Sequence, residues 1–356
     1  MRQVWTALLV VAALAWGARA EGAEPVKLRF GMGTPTIQAL LLNIAIGEYL
    51  GYYKEEGISL SIHPMGNNAA TLQALASGTN QASVVVPGFL LPLAAKGDAP
   101  PIRTFYNYTP KFKYDFVVSP DSPVKAMADL KGKAIGVPAF GHSAYPILKA
   151  LVKDLGWDPD KDVRMVAVGL GPTAGSALRE KRVDAYFAGD TDFAQIETQG
   201  FALRHLHMKP PGQLEGIGGF YIGAMNDWLK ANPRLAVGLG RGVAKGTVFA
   251  LNNLEAASWV FMKMYPESVP KGMSRAEGVK AIATILRARS VNWLREGQTQ
   301  WGLILKNDWE HERTFLDLEA KLPDVTRFYT NEFIEEINKF DAQRIVEQAK
   351  AFKIPD

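Results

Sequence analysis

Apolar residues at Ile147, Leu148, Leu151, Val152 and Leu155 fall on one face of a helix, with Lys149, Lys153 and Asp154 mostly elsewhere. Gly156 follows, a residue suited to the position just past a helix end. Before this helix, "KAIGVPAFGHS" from Lys133 reads as a strand running into a Pro/Gly loop. An earlier stretch repeats the pattern, with "LRFGMGTPTIQ" from Leu28 in the same role. Gly31 and Gly51 correspond to Gly136 and Gly156 at an offset of 105, and Gly66, Leu75 and Ala82 to Gly169, Leu178 and Ala185 at 103. One short loop absorbs the slip. Each copy reads strand, loop, helix, strand, loop, helix, strand, which predicts an α/β protein with mainly parallel sheets covered by helices. Chance similarity between two α/β segments is the competing account of the repeat.

Open parallel sheets bind ligands at the carboxyl ends of their strands. Those ends are the loops at 33–36, 65–68, 87–89, 138–143, 169–172 and 189–192. If the two copies face one another, all six loops meet in one cleft. The candidate ligand-binding residues are therefore Thr34, Thr36, Gln38, Asn67, Asn68, Gly88, Phe89, Phe140, Gly141, His142, Ser143, Gly171, Asp190 and Tyr221. Several of these loops open helices, where free N–H groups and the helix dipole suit an anion. Plain helix capping is the alternative for Thr34, Thr36, Asn67 and Asn68. Asp190 suits either an amine on the ligand or a helix cap.

The stretch "GVPAFGHSAYP", 136–146, places His142 beside Ser143. A hydrolase elbow needs G-x-S-x-G, and Ala144 and Tyr145 follow the Ser instead. Ser143 is expected either to cap the next helix, with Pro146 in its first turn, or to contact the ligand at that helix end. Aromatic residues crowd 105–116: Phe105, Tyr106, Tyr108, Phe112, Tyr114 and Phe116 either line a pocket or pack in the core. Lys111 and Lys113 in that stretch are expected on the surface, with a meeting with an acid as the alternative. His205 and His207 share a strand face, but "RHLHM" has no acidic neighbour, so no metal site is expected.

Composition narrows the function. A hydrophobic content of 47% and a charged content of 21% describe a globular chain of 356 residues. A net charge of +4 is too small for a nucleic-acid binder. With no cysteine there are no disulfides, thiolate nucleophiles or iron–sulfur clusters. Arg2, the apolar run from Val4 to Trp16 and the small residues Ala18 and Ala20 read as a secretory signal peptide over 1–20, cleaved after Ala20. An N-terminal membrane anchor is the other reading, against which the run is short. From 226 onward the pattern is helical, and these helices are expected to cover the first lobe.

The strings "AIGEYLGYYKEEGISLSI", "LQALASG", "SPDSPVKAMADLKGKAIGVP" and "ALREKRVDAYFAG" resemble periplasmic substrate-binding proteins for nitrate, sulfonates and taurine, whose family includes binders of thiamine-pyrimidine precursors. The resemblance covers about 27–225. Gln81 stands where the family usually has Asp, while the second copy keeps Asp184. The resemblance implies the two-lobed periplasmic-binding-protein fold (type II-like), with a helical C-terminal extension. Lobe 1 would comprise 25–115 plus 224–356 and lobe 2 116–223, with hinges near 115–120 and 218–224. It also implies an exported, monomeric receptor of an ABC importer, with permease and ATPase as partners and no cofactor. That receptor would close on a small anionic organic molecule, with an aromatic acid as one option, and would not be an enzyme. The rival is a pyrimidine synthase on the same fold, which consumes one of its own His side chains and uses a Cys-rich motif with iron. The absence of cysteine and the leader argue against it. A secreted hydrolase is the third reading.

Overall fold

The structure is a computed structural model that describes residues 24–111, 113–206, 217–269 and 272–355. The expected leader and cleavage site, Phe112 and His207 lie outside the described residues. The first copy runs β1 (Val26–Met32), α1 (Leu42–Tyr49), α2 (Tyr52–Glu55), β2 (Ile58–Pro64), α3 (Asn68–Ala76), β3 (Ala82–Val85), α4 (Pro87–Ala94) and β4 (Ile102–Thr109). The second runs β5 (Tyr114–Val118), β6 (Ala134–Val137), α5 (Ala144–Asp154), β7 (Arg164–Ala167), α6 (Pro172–Arg179), β8 (Ala185–Gly189), α7 (Asp190–Thr198) and β9 (Arg204–His205). The tail begins with β10 (Phe220–Met225) and continues as α8 (Asn226–Ala231), α9 (Pro233–Asn252), α10 (Leu254–Met264), α11 (Arg275–Ser290), α12 (Lys306–Phe315), α13 (Ile334–Ile337) and α14 (Ala342–Ala351).

Two five-stranded sheets result, in the orders β2-β1-β3-β10-β4 and β7-β6-β8-β5-β9. In the first, β1 is parallel to β2 and β3, and β10 is antiparallel to both β3 and β4. In the second, β6 is parallel to β7 and β8, and β5 is antiparallel to β8 and β9. The two sheets thus share one layout, with the fourth strand in each supplied just after the chain changes sheets. The chain passes to the second sheet after β4 and returns to the first after β9, and the stretches 115–120 and 218–224 fall largely within β5 and β10. β10 is a full member of the first sheet.

The repeat has structural counterparts residue by residue. Gly51 and Gly156 both follow a helix with positive φ, 80° and 74°, and Gly66 and Gly169 both turn out of a strand at 83° and 81°. In this left-handed region a Cβ is strained, so the glycine positions repeat along with the turns. The departure at Gln81 also resolves. Gln81 Oε1 accepts the Arg29 amide at 2.9 Å, and Asp184 Oδ2 accepts the Ala134 amide at 2.8 Å. A neutral carbonyl and a carboxylate fill the same backbone vacancy at the start of equivalent strands.

The first lobe's core packs β1, β2, β3, β4 and β10 against α1 and α9, with Phe30, Leu41, Ile46, Tyr53, Tyr106, Leu239 and Phe249 fully buried. The tail packs on this lobe, but α11 does more. It packs on α10 and, equally closely, on α7 of the second lobe. The C-terminal segment is therefore a strut across the cleft, which helical periodicity alone did not reveal.

Candidate functional site

The loops at the carboxyl ends of β1, β3, β6 and β8 do converge. Met32, Gly33, Thr34, Gln38, Asn68 and Val86 from the first lobe meet Tyr114, His142, Ser143, Gly189, Thr191 and Asp192 from the second around one cavity. Lys113 and Phe220 enter from the two crossings and Arg289 from the end of α11. The free space is about 30 Å³, room for about two water molecules. An organic guest needs these walls to part.

Thr34, Gln38, Asn68, His142 and Ser143 are thus brought together. Thr34 Oγ1 donates to the Thr36 carbonyl at 2.7 Å, which fixes the loop, while Thr36 itself is exposed. Asn67 is a cap. Its Oδ1 accepts the Ala70 amide at 3.0 Å at the start of α3. Gly141 faces Asn67 across the gap, and a Cβ at Gly88 would touch Glu312 and Ile147, so both glycines let opposing walls approach.

Five candidates sit elsewhere. Phe140 is 54% exposed and packs edge-on against Tyr145 beside a groove on the outer face of the second lobe. Phe89 packs into the cluster around Trp309, and so does Tyr221, whose ring tilts against Trp309 at 5.3 Å. Gly171 starts α6 beside Gln195. Asp190 is spoken for inside the protein: Arg289 Nη2 lies 2.5 Å from its Oδ1, and Asn292 Nδ2 donates to its Oδ2 at 2.6 Å.

Ser143 does not cap α5 through its side chain. Its Oγ shares a hydrogen bond with the Tyr114 hydroxyl at 2.7 Å, and His142 Nδ1 instead accepts the Ala144 amide at 3.1 Å. The two neighbours are thus engaged with other groups, and no Ser–His pair of the hydrolase kind is formed. Burial of its ring, and then Lys113, lower the His142 pKa to about 4, so the imidazole is neutral at pH 7. On the far side of the second lobe His205 does have an acidic neighbour. Strand pairing sets Asp115 3.5 Å from it, a contact that raises its pKa.

The most unusual feature is the density of buried charge, little of it anticipated. Arg289 is 1% exposed, Glu312 1%, Lys113 5% and Asp192 7%. The Lys113 ammonium donates to the Gly218 carbonyl and lies over the rings of Phe220 and Tyr114, at 3.6 and 4.7 Å from their centroids. Burial, and then Arg289, hold its pKa well below the ordinary lysine value. The expected surface lysine is in fact inside. Asp192 Oδ2 accepts the Gly189 amide at 3.0 Å, and burial pushes its pKa up to about 6. Glu312 Oε2 accepts the Gly218 amide at 2.6 Å, and burial lifts its pKa to about 7. Arg289 Nη2 also reaches Thr191 Oγ1 at 3.1 Å. Arg289 Nε and Nη1, Asn68 Nδ2 and Glu312 Oε1 are buried with no partner. Of the rings in 105–116, Tyr114 lines the cavity, whereas Phe105, Tyr106, Tyr108 and Phe116 are core residues. Among the described residues no cluster of His, Asp or Glu has the makings of a metal site.

The sequence model of the family described as NMT1/THI5 like matches residues 41–257, more than half of the chain. The chain belongs to that family. It is 24% identical to the riboflavin-binding protein RibY of Chloroflexus aurantiacus over 344 residues, covering 92% of this chain and 95% of the relative. A solved structure from Bordetella bronchiseptica RB50 superposes with a TM-score of 0.67 at 24% identity, covering 92% of this chain and 99% of that one. The periplasmic aliphatic sulphonate binding protein SsuA of Escherichia coli gives 0.60 at 17% identity, covering 84% and 89%. The two-lobed α/β architecture of this family member is the periplasmic-binding-protein fold. Its matched stretch stops at 257, ahead of Arg289, Asn292 and Glu312.

Proposed function

We propose that this protein is an exported solute receptor that holds a small acidic organic molecule between its lobes and delivers it to an ABC importer's permease and ATPase. The observation that carries the reading is the buried cavity at the meeting loops of both lobes, walled by donors with no internal partner. Binding proteins capture ligands by closing two lobes over them, and walls about 30 Å³ apart in free volume fit a shut state. The passages between the sheets, after β4 and after β9, are the places for the swing. The rings of Tyr114 and Phe220 suit a flat or apolar portion of the guest. That relatives are named for riboflavin and for aliphatic sulphonates supports a small organic ligand without choosing one.

The test is a thermal-shift screen of the chain lacking residues 1–20 against riboflavin, sulfonates, aromatic acids, pyrimidines and nitrate. Small-angle scattering of each hit follows. Stabilisation without turnover, together with compaction on binding, is the expected result. Repeated turnover of a bound compound that disappears in Ser143→Ala would replace the receptor with an enzyme. Saturation with no change in scattering would remove hinge closure.

A further inference from the structure

We infer that Arg289, which lies beyond the stretch matching the family model, receives the acidic group of the ligand. The inference rests on the receptor reading above. Arg289 stands in the last turn of α11, 1% exposed, on the wall of the cavity. One of its terminal nitrogens is used, by Asp190 at 2.5 Å and Thr191 at 3.1 Å. The other nitrogens, Nε and Nη1, have no partner. A guanidinium keeps its proton at any accessible pH, so it cannot relieve unused donors by becoming neutral. A guest with acceptor oxygens relieves them.

A second donor points to the same place. Asn68 lines the cavity from the first lobe, and its Nδ2 is also buried without a partner. An oxyanion seated there is met from both lobes. Lys113 is a weaker candidate, because its ammonium is already held by the Gly218 carbonyl and the Phe220 ring. The surrounding charge limits the guest. Two cations, Arg289 and Lys113, face three acids, Asp190, Asp192 and Glu312. These five groups carry no surplus of positive charge, so a guest with one acidic group, a carboxylate or a sulfonate, meets less repulsion here than a dianion does. Since Arg289 grips Asp190 with the same guanidinium, an acid bound to it also ties the first-lobe tail to α7.

The test uses three matched pairs as probes: benzoate and benzamide, benzenesulfonate and benzenesulfonamide, propionate and propionamide. Melting shifts and titration calorimetry at pH 7 give the affinities. The acid of at least one pair binds the wild type and its amide does not. Arg289→Gln weakens that acid at least 50-fold, and Arg289→Lys weakens it less. Should Arg289→Gln fail to fold, the charge-balanced pair Arg289→Gln/Asp190→Asn replaces it. An amide that binds as well as its acid would sink the inference and leave the receptor reading standing. So would an acid whose affinity survives Arg289→Gln. If none of the six compounds binds, the inference falls, and the wider screen alone decides the receptor reading.

Discussion

Replacing Glu312 with Gln should make the protein more stable relative to wild type as pH rises. The carboxyl is 1% exposed on α12, beneath Gly88 and against the Gly218 amide, with Lys113, Asp308, Tyr114 and Tyr221 as its charged or titratable neighbours. Burial dominates and raises its pKa from 4.5 to about 7. Below pH 4.5 the group is protonated in both the folded and unfolded chain and costs nothing. Between 4.5 and about 7 the unfolded chain ionises and the folded one does not, so wild-type stability falls through this window and then levels off. The displacement from 4.5 to about 7 amounts to about 3 kcal/mol. Gln keeps the carbonyl that accepts the Gly218 amide and has no charge to bury, so its curve lacks this slope. Asp192, whose pKa is also raised, to about 6, adds the same slope to both proteins and cancels in the difference. For a chain of this size about 3 kcal/mol corresponds to roughly 4 °C in melting temperature. Melting scans of both proteins at half-unit steps from pH 4.5 to 8 read the gap directly. Two curves that run parallel across that range would refute the argument, because Glu312 would then ionise alike in both states.

Two further substitutions probe packing. Asn67→Ala removes the cap of α3, whose Ala70 amide loses its 3.0 Å acceptor; it should lower stability by about 1 kcal/mol and leave affinity for any hit of the thermal-shift screen within threefold. A larger loss of affinity would make Asn67 a ligand contact. Gly246→Ala should destabilise despite improving helix propensity in α9, because its Cβ would lie 2.3 Å from the Asn43 carbonyl oxygen of α1. The net cost is about 1–2 kcal/mol, measured by urea unfolding; a stabilised variant would show that α1 and α9 separate easily.

The sequence carried the fold well because the constraints that build it are local. A glycine at positive φ after a helix, an amide to be satisfied at a strand start and an alternating apolar run each leave a mark within a few residues. The offset between copies made those marks visible twice. The site was legible only where it lies on strand-end loops, as at Thr34, Gln38, Asn68, His142 and Ser143. Tyr221 was the wrong member of its pair: successive strand residues face opposite sides, so Phe220 looks into the cavity and Tyr221 into the Trp309 cluster. Asp190 directly follows β8, but its partners Arg289 and Asn292 lie about a hundred residues further on. Helical spacing announces α11 without saying that its last turn crosses to the other lobe. Lys113 reads as surface in composition terms, and only the meeting of both crossings encloses it.

The place of β10 in the first sheet dictates an order of assembly. Strands β5 to β9 of the second sheet are contiguous in the chain, from 114 to 205, so that half has all its strands as soon as those residues are available. In the first sheet β4 has no strand neighbour except β10, which also covers the edge of β3. The first sheet therefore keeps a bare strand edge until residue 225 has left the ribosome, and the α9 layer that covers it follows later still. The half of the molecule that is synthesised first is thus the half that is completed last.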